Sequence, residues 1–172
     1  MPVHPPSLAF PWPQPHELRG PAVRMVLRDP AWMASVRRTI DLWRTTRHQP
    51  LPVVKFTDLA ELDAAASDRR LLDIVEVSSG ELSRTADWIR RRRGKNRVAA
   101  LLCRQAFTAP EDRTAAAQLL REAGAVAVIA TPQDAQRLAE LLCWLCECSP
   151  GVEDPLDELP LPCWAPPWQP RR

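Results

Sequence analysis

The sequence predicts an α/β protein, a three-layer sandwich built on a five-stranded parallel sheet. Short apolar segments alternate along the chain with longer segments whose apolar residues recur at helical spacing. No hairpin signal lies between the apolar segments, so the strands are expected to be parallel, with helices in right-handed crossovers. The clearest strand is 71–78 (LLDIVEVS), a nearly continuous apolar run closed by Ser79 and Gly80. Ligands of open α/β sheets bind at the carboxyl ends of strands, so the end of this strand is of particular interest.

The first strand is predicted at 22–27 and leads into a helix. Asp29 can accept a hydrogen bond at the helix N-cap, and Pro30 suits the first helical position because its missing N–H has no partner there anyway. This helix is expected to end before His48-Gln49-Pro50. The apolar positions predicted to face the core are Met33, Val36, Ile40 and Trp43.

The rest of the body follows the same alternation. Lys55 interrupts the second strand, which predicts a place at the sheet edge. The predicted elements are a strand at 52–56, a helix from Thr57 or Asp58 to 66, the strand at 71–78, a helix at 81–92, a strand at 98–103, a helix at 110–122, a strand at 125–130, and a final helix capped by Thr131 with Pro132 first.

Proline divides the chain into a body and two tails. Most of the 19 prolines lie in 1–21 and 149–172, which lack hydrophobic periodicity and are expected to be disordered around a domain at 22–148. The tails carry tryptophans that either anchor the chain in a partner's groove or fold back onto the domain, and the sequence leaves both interpretations open. These tryptophans are Trp12, Trp164 and Trp168.

Charge and cysteine content restrict the class of protein. The net charge of +2 does not favour binding through bulk attraction to a phosphate backbone. No apolar run approaches the roughly 20 residues of a membrane span, and no export signal is evident at the N-terminus. Five cysteines without such a signal indicate reduced thiols, so a cytoplasmic location is expected.

Three segments of the chain resemble the response-regulator receiver family. Residues 123–132 (AGAVAVIATP) look like that family's glycine-alanine turn, fifth strand and Lys-Pro junction, and 27–30 (LRDP) looks like the end of its first strand. Residues 73–78 look like its third strand, which ends at the phospho-accepting aspartate. The resemblance covers 22–148 and implies the strand order 2-1-3-4-5 of a flavodoxin-like fold.

The residues at the family's functional positions differ from the family's pattern. The acidic pair that would hold Mg²⁺ falls on Leu27 and Arg28, and the phospho-acceptor falls on Ser78. Aspartyl phosphorylation requires a carboxylate nucleophile and a divalent cation with hard oxygen ligands, which these side chains do not provide. The remaining correspondences are Asp29, which keeps an acid, Leu102 or Cys103 for the Thr/Ser of the fourth strand, Thr131 for the lysine, and Pro132 for its proline.

The resemblance therefore implies a pseudo-receiver that is not phosphorylated on aspartate. We expect a protein–protein interaction module in bacterial regulation or signalling, with no cofactor, no membrane association and no enzymatic activity. In receivers the partner surface is usually the face of the fourth helix, fifth strand and fifth helix, here about 112–147. The partner is expected to be a protein, and a homodimer is among the arrangements left open.

One alternative is a small α/β enzyme or ligand-binding protein that uses Asp29, Glu76 and Ser78. Convergence of these side chains on an open pocket would favour it, and filling of that edge by apolar groups would exclude it. Glu76 itself has two interpretations, a perturbed acid near the former phosphorylation site or a structural carboxylate near the strand end, paired with an arginine. The structural interpretation is favoured.

A basic run and a cysteine cluster carry the remaining hypotheses. Arg90, Arg91, Arg92 and Arg93, followed by Lys95 and Arg97, either dock an acidic partner or nucleic acid, or form a solvated helix terminus. Nucleic acid is not favoured, because no aromatic platform accompanies the run. The cysteines either form a four-thiolate metal site or serve as small apolar residues, and the second interpretation is favoured. They are Cys143, Cys146, Cys148 and Cys163.

Overall fold

The computed structural model of the protein describes residues 21–65, 71–94 and 97–147. Residues 1–20 and 148–172 lie outside these ranges, and so do the candidate residues Trp12, Lys95, Cys148, Cys163, Trp164 and Trp168. The elements run in strict alternation from a first strand at residue 22 to a last helix that ends at residue 147. They are β1 (Ala22–Val26), α1 (Pro30–Arg47), β2 (Val53–Lys55), α2 (Leu59–Ala64), β3 (Leu71–Val77), a 3₁₀ turn (Ser79–Glu81), α3 (Leu82–Arg92), β4 (Arg97–Leu102), α4 (Pro110–Ala123), β5 (Ala127–Ile129), a 3₁₀ segment (Pro132–Arg137) and α5 (Leu138–Glu147).

The five strands form one parallel sheet in the order β2-β1-β3-β4-β5. The predicted fold class and strand order are therefore confirmed, and β2 lies at the edge as expected. One buried cluster joins the sheet to α2, α3 and α4, and a second joins the opposite face to α1 and α5. Alternate residues of β3 supply the two clusters, Val75 and Val77 to the first and Leu72 and Ile74 to the second.

Local sequence signals explain several element ends. The carboxylate of Asp29 accepts a hydrogen bond from the N–H of Ala31 (2.8 Å) and Pro30 is the first residue of α1, both as predicted. Asp58, rather than Thr57, caps α2 by accepting from the N–H of Glu61 at 2.8 Å. Gly94 follows α3 with a φ of +84°, a left-handed conformation that glycine adopts at little cost.

Two sequence expectations about helices are wrong in detail. In α1 the buried side chains are Trp32, Val36, Ile40 and Trp43, whereas Met33 is half-buried. The buried face of α1 thus starts one residue earlier than predicted, at Trp32, because the Trp32 side chain extends to the end of β4. Thr131 does not accept a capping bond from the last helix. Its hydroxyl donates to the Asp134 carboxylate (2.8 Å), and a 3₁₀ segment intervenes before α5 begins.

A buried ion pair lies within the sheet on the face covered by α2 and α3. Arg24 of β1 and Asp73 of β3 are register neighbours, and their side chains are 2% and 0% exposed. The guanidinium donates to both carboxylate oxygens at 2.7 and 2.8 Å and also to the carbonyl of Ala65, just after α2, at 2.8 Å. Arg92 of α3 adds a third, longer contact to Asp73 at 3.4 Å. The pair thus ties two strands and two helices together.

Within the described residues, no helix is long and apolar enough to cross a lipid bilayer.

Candidate functional site

Because all five strands are parallel, the residues that follow them meet at one edge of the sheet. Leu27 and Arg28 follow β1, Ser78 follows β3, Cys103 follows β4 and Thr131 follows β5. The structure therefore brings the positions singled out in the sequence to a single edge. They do not all line the same cavity, however, since Leu27 and Pro132 are buried in the core.

A cleft of about 310 Å³ lies at the ends of β1 and β3 and contains most of the candidate residues. Arg28, Asp29, Glu76 and Ser78 line it, as the sequence hypotheses required. The other lining residues are Pro30, Glu81, Cys103 and Gln105. We call this the β1–β3 cleft.

An ion pair spans the β1–β3 cleft. The Arg28 guanidinium donates to both oxygens of the Glu81 carboxylate, with N–O distances of 2.9 and 3.1 Å. The hydroxyl of Ser78 donates to the same carboxylate at 3.0 Å. Arg28 and Ser78, which the resemblance aligns with a metal-ligand position and the phospho-acceptor position, are thus linked through one carboxylate, Glu81, that the sequence hypotheses did not include. The sequence does contain a signal for the contact between Ser78 and Glu81, because Ser-x-x-Glu is a capping pattern that brings its first and fourth residues together.

Glu76 is anchored by backbone groups. One of its carboxylate oxygens, Oε2, accepts from the N–H of Arg28 (2.6 Å) and from the N–H of Asp29 (2.8 Å). The sequence predicted a structural Glu76 near the strand end, paired with an arginine. The structure corrects the partner, because Glu76 accepts from the backbone N–H of Arg28 rather than from a guanidinium. The reason is the side-chain alternation of β3, which directs Glu76 toward the N-terminus of α1, where amides without helical partners meet a negative charge.

The Arg28–Glu81 pair shifts the ionisation of both groups. The hydrogen bonds and charge of the Arg28 guanidinium, with smaller help from Ser78, hold the pKa of Glu81 below its usual range. The same contact raises the pKa of Arg28. Glu81 therefore remains ionised at neutral pH and is a weak proton acceptor.

This pair predicts a stability difference that disappears in acid. A glutamate whose pKa is lowered on folding stabilises the protein above its unfolded-state pKa, about 4.3, and that stabilisation is lost as pH falls through the lower folded-state pKa. Both side chains are partly exposed, at 56% and 35%, so Glu81→Gln is expected to cost no more than about 1 kcal/mol at pH 7. Urea unfolding from pH 7 to pH 3 should show the stability difference between the variant and the parent shrinking as the pH falls below the unfolded-state pKa of about 4.3. Glu111→Gln, on the exposed surface of α4, controls for the loss of one negative charge; a difference as large at pH 3 as at pH 7 would contradict the assignment.

Much of the basic run on α3 is engaged in local contacts. Arg92 pairs with Asp63 of α2 and lies over the Trp88 ring, with its guanidinium carbon 4.6 Å from the ring centroid. Its guanidinium holds the pKa of Asp63 below the usual range. Arg90 pairs with Asp87 one turn earlier (2.6 Å), and Arg97 lies over Trp144. Arg91 and Arg93 are exposed, and their role in binding a partner remains a prediction.

The two described cysteines of the candidate metal cluster are half-buried on α5. The Cys143 sulfur accepts from the indole N–H of Trp43 and from the Arg47 guanidinium, each at 3.3 Å. Within 21–65, 71–94 and 97–147, no group of three or more His, Cys, Asp or Glu side chains is placed to hold a metal ion. Cys148 and Cys163 lie outside these ranges, so the four-thiolate hypothesis as a whole is untested.

Comparison with solved structures agrees with the fold. A response regulator from Thermotoga maritima superimposes with a TM-score of 0.51 at 19% sequence identity, over 75% of this chain and 99% of that one. A CheY-like protein, TadZ, from Pseudomonas aeruginosa PAO1 has a TM-score of 0.46 at 17% identity, over 74% and 99%. No protein-family profile and no curated protein matches the sequence. The likeness to the Thermotoga maritima protein shows that the chain has a receiver-like fold, and it shows the fold alone.

Proposed function

We propose that this protein is a pseudo-receiver, a receiver-like module that is not phosphorylated on aspartate and acts in signalling through contacts with another protein. The observation that carries the proposal is the Arg28–Glu81 ion pair across the β1–β3 cleft. A receiver needs a divalent cation there to neutralise the transferred phosphoryl group. Here a guanidinium and a carboxylate neutralise each other, and the acceptor position carries a serine hydroxyl.

The first test is chemical phosphorylation. The full chain incubated with acetyl phosphate and Mg²⁺ is expected to gain no phosphoryl group by intact-mass spectrometry, and beryllofluoride with Mg²⁺ should leave its melting temperature unchanged. Ser78→Asp is expected to remain unmodified as well, because Leu27 and Arg28 cannot supply the oxygen ligands that Mg²⁺ prefers. An active receiver treated in parallel controls for the reagent. Stoichiometric acyl phosphate on the parent chain, or a Mg²⁺-dependent rise in its melting temperature, would refute the proposal.

The second test concerns the partner surface, defined as the face of α4, β5 and α5. Half-buried apolar side chains lie in these elements or next to them, including Leu119 of α4, Val126 just before β5 and Leu141 of α5, and β5 is an edge strand. Leu119→Glu is expected to abolish capture of a specific protein from an extract of the source cells. Leu42→Glu on α1 introduces the same charge outside this face, at a 67% exposed position, and because Leu119 packs against the core the melting temperatures of both variants are compared as well. Equal capture by both variants would reject this surface, and a parallel comparison without residues 1–20 and 148–172 measures what the tails contribute.

A second candidate function is ligand binding or catalysis in the β1–β3 cleft. Asp29, Glu76 and Ser78 do converge on an open cleft, which favours this alternative by the criterion set from the sequence. The contacts weigh against hydrolytic chemistry, since Ser78 donates to a carboxylate whose pKa is lowered by Arg28. The only described histidine, His48, follows α1 at the opposite edge of the sheet. The pseudo-receiver is therefore the better-supported proposal.

A further inference from the structure

A second cleft, of about 280 Å³, opens at the ends of β4 and β5. We call it the β4–β5 cleft. It lies between the connection from β4 to α4 and the segment that follows β5, and its volume is close to the lower limit for small-molecule sites. Cys103 lines both clefts, but the ion pair of Arg28 and Glu81 belongs to the other one.

The charged side chains that line the β4–β5 cleft are all positive. Two arginines, Arg104 and Arg113, line it, and none of its lining residues is acidic. Thr108 and Gln133 add a hydroxyl and an amide group, whereas the Thr131 hydroxyl already donates to the carboxylate of Asp134, which does not line the cleft. By contrast, three carboxylates line the β1–β3 cleft. The two clefts at this edge of the sheet therefore differ in the sign of the net charge of their lining. The β4–β5 cleft, which is positive, favours a negatively charged ligand.

Arg113 is incompletely satisfied by the protein. Its Nη2 donates to the carbonyl of Thr108 at 3.2 Å, but its Nε is buried and has no hydrogen-bond partner in the described part of the chain. A buried donor without an acceptor costs free energy. A ligand oxygen that accepts a hydrogen bond from Arg113 would remove this cost, and no carboxylate lining the cleft competes for the guanidinium. Arg113 also lies in the first turn of the 14-residue helix α4, whose N-cap residue, Ala109, provides no side-chain acceptor.

We infer that the β4–β5 cleft binds a small phosphate-bearing anion, either free phosphate or a small phosphomonoester. Guanidinium groups offer paired N–H donors that match phosphate oxygens, and arginine is the preferred residue for such recognition. Leu102, Phe107 and Ala130 form the apolar part of the lining, which suits the organic part of a monoester. The acids in the same turn of α4, Glu111 and Asp112, do not line the cleft. Cys103 and Thr131, which the resemblance aligns with replaced receiver positions, line this cleft, but the proposed pseudo-receiver function rests on the ion pair of the β1–β3 cleft. The inference goes beyond that function and does not depend on it.

The test is isothermal titration of the full chain with inorganic phosphate and, separately, with glycerol 3-phosphate, at constant ionic strength with chloride as the reference anion. Saturable binding of either probe is expected, and the tighter probe identifies the form of the ligand. Arg113→Gln and Arg104→Gln should each weaken binding by about tenfold or more, the usual effect of losing a charge-assisted hydrogen bond. Arg121→Gln, at an exposed position in the last turn of α4, is the matched control and should bind as the parent does.

Two further measurements locate the site and guard against misfolding. Ser78→Ala changes only the lining of the β1–β3 cleft and should leave phosphate binding intact, whereas loss of binding would place the anion there and overturn the inference. Circular dichroism melts establish that each variant is folded, and Arg104, which is exposed, can be replaced even if Arg113→Gln does not fold. No saturable binding of either probe, or equal weakening by Arg121→Gln, would also overturn it.

Discussion

Replacing Asp73 with alanine is expected to lower the free energy of unfolding by about 3–5 kcal/mol, the usual cost of removing one partner from a buried ion pair. Arg24 would be left with its charge at 2% exposure, deprived of two hydrogen bonds shorter than 3 Å. Arg24 would still donate hydrogen bonds to the carbonyls of Ala65 and Leu62, but these oxygens carry no full negative charge. Urea unfolding followed by circular dichroism measures the loss.

The control for Asp73→Ala is Asp41→Ala. Asp41 also pairs with two arginines, Arg37 and Arg44, but at 55% exposure on the surface of α1, so its replacement should cost less than about 1 kcal/mol. Replacing both buried partners, Arg24→Met with Asp73→Leu, should recover much of the stability because no uncompensated charge remains. A cost for Asp73→Ala as small as that for Asp41→Ala would show that the buried pair contributes little.

Replacing Trp32 with alanine is expected to cost about 3–5 kcal/mol, the range for deleting a large buried aromatic side chain. Trp32 is fully buried between α1 and the sheet, and its indole N–H donates to the carbonyl of Leu102 at 3.0 Å. Leu102 ends β4, directly before Cys103, which lines both clefts. The side chain therefore stabilises the core and holds the end of β4 at the carboxyl edge of the sheet.

Trp32→Phe separates the two contributions. Phenylalanine keeps most of the apolar burial but leaves the Leu102 carbonyl without the indole donor, so a loss of about 1–3 kcal/mol is expected. The exposed Leu42 provides the control, since Leu42→Ala should change stability by less than about 0.5 kcal/mol. Thermal and urea unfolding of the three variants give the comparison. A Trp32→Ala variant as stable as Leu42→Ala would contradict the packing of Trp32 between α1 and the sheet.

The prediction for Asp73 depends on two residues whose importance was hidden in the sequence. Arg24 stands inside an apolar strand and Asp73 inside another, and each charge by itself only weakens a strand assignment. They become a pair once β1 and β3 are neighbours in a register that sets residue 24 against residue 73. The resemblance implied that β1 and β3 are neighbours, but their register is non-local and is not contained in local periodicity. Opposite charges in the middle of two buried strands were the one signal that could have suggested the pairing.

The sequence by itself determined the alternation of strands and helices, the parallel sheet, the edge position of β2 through Lys55 and the start of α1 at Asp29-Pro30. These features follow from hydrophobic period and capping chemistry, which act over a few residues. Only the tertiary structure decided which hydrogen bonds and ion pairs form among the groups at the carboxyl edge of the sheet. It joined Glu81 to Arg28 and Ser78, gave Glu76 the amides before α1, and set Arg104 and Arg113 around a cleft without carboxylates. Those contacts depend on which strands are neighbours and which face each side chain takes, and the packing of the whole chain sets both.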